Sequence, residues 1–257
     1  MDADEAVKGN SAYWSDSAEE YLLTYGDFLG PVEFRWCPEG LTEAKAGLLG
    51  PLEQLRDQLL LEIGAGAAQC SRWLAAQGVG VHATDVAPGM VDQAHRLNKT
   101  TGINVPLSVA DARQLPFDSA SFDQVFTAFG AVPFLKDLTE LHKEVYRVLK
   151  PGGWWTFATT HPIRWAFPDH PEALTVNRSY FDRTPYAEVT GRGVYAEFHH
   201  TLGDHMQSLT SCGFSITTVV EPEWQEGNNH VWGGWAPTRG KLIPGTLIIQ
   251  AQRSNQD

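Results

Sequence analysis

Across residues 59–220, short apolar runs alternate with stretches whose apolar residues recur at helical spacing. That alternation is the signature of a parallel sheet covered by helices. Leu59–Ile63 reads as a first strand, and a helix follows over about 67–77. Residues 79–84 read as a second strand, and Pro88 opens the next helix where proline is tolerated. Further strands are predicted at 105–110, 122–129 and 154–159. Leu138, Leu141, Val145 and Val148 share one helix face, and Pro151-Gly152-Gly153 stops that helix. Residues 161–200 are rich in Pro, Tyr, His and Arg without clean periodicity, and read as an insertion on the ligand face. Regularity returns at Thr201-Leu-Gly-Asp204, a capping-box-like start for a helix that ends near Gly213. Residues 214–220 and 246–251 supply two last strands with no helix-length pattern between them, so they should pair antiparallel. Ahead of the sheet, residues 11–29 read as a helix that caps the ligand site.

Composition narrows the class. The 257 residues are 42% hydrophobic and 19% charged, ordinary for a folded domain, and no stretch approaches the roughly 20 apolar residues of a membrane span. Residues 1–10 are acidic, with no basic or apolar leader pattern, so a cytoplasmic location is the default expectation. Cys37, Cys70 and Cys212 are scattered and odd in number, which speaks against a disulfide framework or a zinc site. A net charge of -12 repels phosphate backbones, so nucleic acid is not the expected partner. The nine tryptophans can line an apolar ligand pocket as well as fill a core.

The most informative local segment is Glu62-Ile-Gly64-Ala65-Gly66-Ala-Ala-Gln69, between a strand and a helix. Glycines there permit a tight turn and close ligand approach, at the strand ends where open α/β sheets bind ligands. Asp85 ends the second strand, 19 residues after Gly66, where a carboxylate can accept both hydroxyls of a ribose. A nicotinamide dinucleotide and S-adenosylmethionine both satisfy these features. Two features discriminate. A dinucleotide fingerprint wants a small residue where Gln69 stands, and Asp111-Ala112 ends the third strand as a second acidic station suited to an adenine edge.

The chain resembles the class I S-adenosylmethionine-dependent methyltransferases, close to the group that methylates small molecules. The resemblance rests on LEIGAGAAQCSRWLA (61–75), ATDVAPGM (83–90), VADARQLPFDSASFDQVFTAF (109–129) and EVYRVLKPGGWWTF (144–157), in that order and spacing. It implies that Gly64 and Gly66 lie against the methionine part of the cofactor, in a turn that includes Glu62 and Ala65. It implies that Asp85, with Val86 beside it, holds the ribose. Met90 would pack on adenine, Asp111 and Ala112 would read its edge, and Phe129 would sit near the methionine. The segment Phe34-Arg-Trp36-Cys-Pro-Glu39 looks like a loop folding over the cofactor, with Trp36 as its contact residue.

The implied fold is α/β: a Rossmann-like, doubly wound, mostly parallel seven-stranded sheet with an antiparallel last strand. A single domain is expected, with an N-terminal helical lid (1–55) and a cofactor-binding core (56–160). A substrate-side insertion (161–202) and a C-terminal helix and strand hairpin (203–257) complete it. The implied function is methyl transfer from S-adenosylmethionine to O, N or C of a small-molecule acceptor, with neither nucleic acid nor membrane as partner. The alternatives are a non-catalytic S-adenosylmethionine-binding module or an NAD(P)-dependent oxidoreductase. A sulfonium methyl is already activated, so alignment is the enzyme's main task and a base is needed only for a protonated acceptor. The segment Glu197-Phe-His199-His200-Thr-Leu-Gly-Asp204-His205 offers His199 as the candidate base, with His161 as a second pocket histidine. Its spacing does not suit a metal site, so none is expected. Tyr13, Tyr21 and Tyr25 recur on one side of the first helix, as core packing or as a lid over the ligand.

Overall fold

A computed structural model of the chain describes residues 1–255. It begins with a long helix, α1 (Ala3–Leu29), and two single turns, α2 (Glu43–Ala46) and α3 (Leu52–Leu55). The alternating core follows as β1 (Leu59–Ile63), α4 (Gln69–Ala76), β2 (Gly80–Asp85), α5 (Pro88–Thr101) and β3 (Leu107–Val109). It continues with β4 (Phe122–Ala128), α6 (Leu138–Val148) and β5 (Leu149–Thr160). The last part contains β6 (Tyr186–Thr190), β7 (Gly193–Glu197), α7 (Leu202–Ser211), β8 (Phe214–Val220), the turn α8 (Pro237–Gly240) and β9 (Thr246–Arg253). The final two positions of the C-terminal segment, Gln256 and Asp257, lie outside the described residues.

Seven strands form one sheet in the order β3-β2-β1-β4-β5-β9-β8. β3 through β5 run parallel, and β9 is antiparallel to both its neighbours. The chain winds outward from β1 in one direction and from β4 in the other. The crevice at the carboxyl ends of β1 and β4 is therefore the topological switch point, where such sheets take ligands. Four of the five β1 residues are buried, because helices cover the sheet on both faces. On one face Leu138, Leu141, Val145 and Val148 of α6 pack with Trp155, Phe157 and Phe214. On the other, Leu60, Leu74, Val81 and Ala94 pack with Phe34 and Trp36 from the segment ahead of the sheet.

The elements depart from their sequence-based bounds for local reasons. α1 starts eight residues earlier than position 11, because Asp2 and Glu5 form a reciprocal capping box, at 2.8 and 3.1 Å. α4 starts at Gln69, because Ala68 is in the left-handed region and cannot continue a helix. β3 is only three residues long, and β5 begins as early as Leu149 with a register shift against β4. The capping box at Thr201 and Asp204 forms as expected, at 2.8 and 3.2 Å.

The insertion contains a feature that periodicity alone did not predict, the two-stranded hairpin β6–β7. It clasps α1. The buried Asn10 amide accepts from the Ala196 N–H at 2.8 Å and donates to its carbonyl at 2.9 Å. On its other side α1 sits on the start of α5. Ser11 Oγ donates to the Val86 carbonyl at 2.7 Å, and a Cβ at Gly89 would collide with the Ser15 backbone. Helix and hairpin together thus form a cover facing the switch point. Among the described residues no helix is long and apolar enough to cross a membrane.

Candidate active site

The turn after β1 enters the crevice with Gly64 at φ 62, a left-handed conformation that favours glycine. A Cβ there would stand 2.6 Å from the Ala131 N–H nitrogen, so glycine also admits the turn after β4. That second turn carries two non-glycine residues in the left-handed region, Phe129 at φ 69 and Ala131 at φ 44. Such strain persists where surrounding structure enforces it, and it clusters at functional sites. Nothing lies within 4 Å of where a Cβ of Gly66 would stand, so the turn opens onto free space. The Gly66 N–H itself donates to Asp85 Oδ2 at 2.8 Å, and the Ala87 N–H donates to Oδ1 at 2.9 Å. Burial pushes the Asp85 carboxyl above its ordinary range, and these backbone donors pull it back.

These turns border a cavity of about 680 Å³, within the range of small-molecule sites. Gly64, Ala65, Gly66, Asp85 and Val86 line one end, together with Met90, Asp111, Ala112 and Phe129. Met90 packs with Ala18 and Ala87, and Trp14 and Tyr21 of α1 close over it. Asp111 receives the Arg113 guanidinium at 2.8 Å, and the same guanidinium meets Asp4 near the start of α1 at 2.9 Å.

Three residues singled out from sequence stand away from this cavity. Trp36 is fully buried at 0% exposure, its Nε1 donating to Glu43 at 2.8 Å. An isolated bridge between Arg35 and Thr42 makes the segment extended, so neighbouring side chains point to opposite sides; Arg35, not Trp36, lines the cavity. Glu62 faces α4, where its carboxylate accepts from the Ser71 N–H at 3.0 Å. Burial raises it to about 7. His199 is 6% exposed and lies one layer behind the wall. Its ring stacks on Trp165, which does line the cavity, and its Nε2 meets the Tyr180 carbonyl at 2.6 Å. It borders a separate small hollow shared with His161, His200 and His205.

The rest of the cavity wall is aromatic and continues from Trp14 and Tyr21. Trp14 meets Tyr21, Phe134 and Tyr195 edge-on at centroid distances of 5.5, 5.8 and 5.9 Å. Tyr25 stacks on Trp232 at 4.5 Å, joining α1 to the loop before β9. Arg164 pairs with Asp169 and stands over the Trp235 ring at 4.8 Å. Tyr186, Glu188, Tyr195 and Glu197 of the hairpin complete the wall. Glu197 accepts from the Tyr195 hydroxyl, and burial pushes its carboxyl above the usual range. Arg164 carries no motif in the sequence, and Glu197 enters only as the first residue of the segment that offers His199. The alternation Tyr186-Ala-Glu-Val-Thr and Gly193-Val-Tyr-Ala-Glu, across a Gly-Arg turn, is the signal that exposes the hairpin face.

A family profile described as a methyltransferase domain matches residues 60–153. The chain is 33% identical over 175 residues to the aklanonic acid methyltransferase of Streptomyces sp. (strain C5), covering 63% of this chain and 77% of that one. It is 36% identical over 144 residues to the demethylmenaquinone methyltransferase of Streptomyces avermitilis, covering 56% of each. It superimposes with a TM-score of 0.60 and 25% identity on an S-adenosylmethionine-dependent methyltransferase from Mesorhizobium loti, covering 80% of this chain and 100% of that one. The chain spans only 21 to 38% of the length of four other curated relatives that it matches. The sheet order, the glycine turn at the switch point and these likenesses agree: the chain belongs to the class I S-adenosylmethionine-dependent methyltransferases.

Proposed function

We propose that this protein transfers the methyl group of S-adenosylmethionine to a small molecule held in the aromatic end of the cavity. The observation that carries the reading is continuity. One cavity runs from the Gly64–Gly66 turn and Asp85 to the wall formed by Trp14, Phe134 and Tyr195. S-adenosylmethionine supplies an activated methyl group, with the departing electron pair taken by sulfur.

The chain's own work is binding and alignment, and positioning of this kind lowers such a barrier by roughly 7 to 11 kcal/mol. In this reading Gly64, Ala65 and Gly66 border the methionine part, and the Asp85 carboxylate takes the ribose hydroxyls beside Val86. Met90 lies against the adenine, Asp111 and Ala112 meet its edge, and Phe129 shields the methyl-bearing end. Glu62 and Trp36 support the turn and the preceding loop from behind. His199 acts through Trp165, holding the acceptor wall. The four segments, from lid to C-terminal hairpin, serve one site. A net charge of -12 speaks against nucleic acid as acceptor, and three free cysteines suit a reducing, cytoplasmic setting.

Calorimetry tests the cofactor. S-adenosylhomocysteine should bind at micromolar affinity and NAD(H) not measurably; the opposite order sinks the reading. A screen of small metabolites with labelled S-adenosylmethionine tests the transfer, and a non-catalytic module would bind without labelling anything.

A further inference from the structure

The hairpin β6–β7 turns a patterned face to the cavity. Tyr186 stands opposite Glu197, and Glu188 stands opposite Tyr195. Each tyrosine hydroxyl donates to the glutamate two residues further along its own strand. Glu188 is at the exposed rim, whereas Glu197 lies deeper. Directly after Glu197, the Phe198 N–H donates to the Pro133 carbonyl at 2.8 Å. That bond fastens Glu197 beside the segment that continues from Phe129, and both line the cavity.

The surrounding cations are engaged elsewhere. Arg192 at the hairpin turn pairs with Glu20 at 2.5 Å and with Asp16 at 3.5 Å. Arg164 lends Glu197 its field, but its ion pair goes to Asp169. Arg178 lies over the Trp165 ring at 5.2 Å. Among the described residues Glu197 has a hydroxyl partner and no ion pair. The Tyr195 ring beside it is met by Tyr13, Trp14 and Phe134 at 5.0, 5.9 and 5.9 Å. A carboxylate among aromatic rings, withdrawn from water, attracts a cation through both charge and ring quadrupole. A neutral hydroxyl gains less there, and an anion is repelled.

We propose that the methyl acceptor is an amine that binds as an ammonium held by Glu197 against the rings of Trp14, Phe134 and Tyr195; one ammonium proton passes to the Glu197 carboxylate, which frees the nitrogen lone pair to take the methyl group, while the electron pair of the broken carbon–sulfur bond stays on sulfur. The proposal rests on the methyl-transfer reading of the same cavity and adds the acceptor's chemical class. Burial raises Glu197 above the usual carboxylate range while the Tyr195 hydroxyl draws it back, so a bound ammonium relieves an otherwise costly charge. Tyr195 is a positioning residue, acting through the carboxylate it donates to.

The test uses the full chain saturated with S-adenosylhomocysteine and titrated with phenethylamine, 2-phenylethanol and 3-phenylpropionate. The three probes share a ring and differ in the charge at the tail. Phenethylamine should bind about tenfold more tightly than the alcohol, and the carboxylate should not bind measurably. Glu197→Gln should bring the amine down to the alcohol's affinity and leave S-adenosylhomocysteine within about twofold. Tyr195→Phe removes the donor that holds Glu197 down, so the pH at which half the amine binding is lost should rise. A merely structural tyrosine would weaken all three probes alike without moving that pH, and this variant decides the matter if Glu197→Gln does not fold. Absent amine binding, tighter carboxylate binding, or an amine affinity unmoved by Glu197→Gln overturns the proposal. Wild-type protein that fails to bind S-adenosylhomocysteine removes the methyl-transfer reading itself, and that result appears before any amine is added.

Discussion

The Gly66 N–H donates to Asp85 Oδ2 at 2.8 Å, so the turn after the first strand is tied to the end of the second by a bond to a carboxylate. With Ala87 on the other oxygen, each Asp85 oxygen accepts from a backbone N–H at the cavity wall, and in the proposed reading the carboxylate takes a ribose diol with its remaining lone pairs. Asp85→Ala should weaken S-adenosylhomocysteine by about 1.5 to 3 kcal/mol, the usual loss for hydrogen bonds to a charged group. Calorimetry on the folded variant measures this, and an unchanged affinity would move the ribose site elsewhere.

Asn10 is the pin between α1 and the hairpin, using both faces of its amide on Ala196. Asn10→Ala leaves a buried N–H and a buried carbonyl without partners, which costs about 1 to 3 kcal/mol for each unsatisfied group. The expected result is a lower urea midpoint and faster release of S-adenosylhomocysteine in a stopped-flow displacement. An unchanged release rate would mean that the cover does not govern exchange.

His199 stacks on Trp165 and is held by the Tyr180 carbonyl. From that position His199→Ala should let Trp165 shift, raising KM for the acceptor while kcat stays within a few fold, and should lower the melting temperature. A loss of about 10² in kcat at unchanged KM would instead make His199 the base.

The buried histidines should cost stability on the acid side. Burial is the chief reason that His142, His161, His199, His200 and His205 are all held below the ordinary histidine value, and His142 drops to about 3. Below about pH 6.5 the unfolded chain binds protons that these buried rings refuse. Their contribution is therefore fully present above pH 6.5 and is lost progressively as pH falls toward the folded values. The raised carboxyls of Glu62, Asp85 and Glu197 act the other way as pH falls, so the histidine part is read as a difference: between pH 7.5 and 4 the urea midpoint of His142→Gln should fall less, or rise more, than that of the wild type. Equal slopes would assign acid sensitivity to other groups.

The sheet was readable because buried parallel strands must be apolar runs and their helices must show one apolar stripe, as at Leu138, Leu141, Val145 and Val148. The turn at the switch point is legible because Gly64, Gly66 and Asp85 do local work at strand ends. What escaped depended on side-chain direction or on distant partners. Trp36 and Arg35 are adjacent, and only the bridge to Thr42 decides which one faces inward. The Asp2–Glu5 capping box was present in the sequence as Asp-x-x-Glu but lay in a stretch that composition alone marked as an acidic terminus. Glu197 is marked only by its place across the hairpin from Tyr186, with both lining the cavity.

The pin between Asn10 and Ala196 joins positions 186 residues apart. During synthesis at about 5 to 20 residues per second, α1 emerges first and waits about 10 to 40 seconds for its partner strand. The five parallel strands are complete well before then. The nascent protein thus passes through a stage in which the glycine turn and Asp85 exist but stand uncovered, with Trp14, Tyr21 and Tyr25 free of their late partners Tyr195 and Trp232. Contacts of such long sequence separation close slowly, so the roof of the chamber closes only after its parallel floor is already in place.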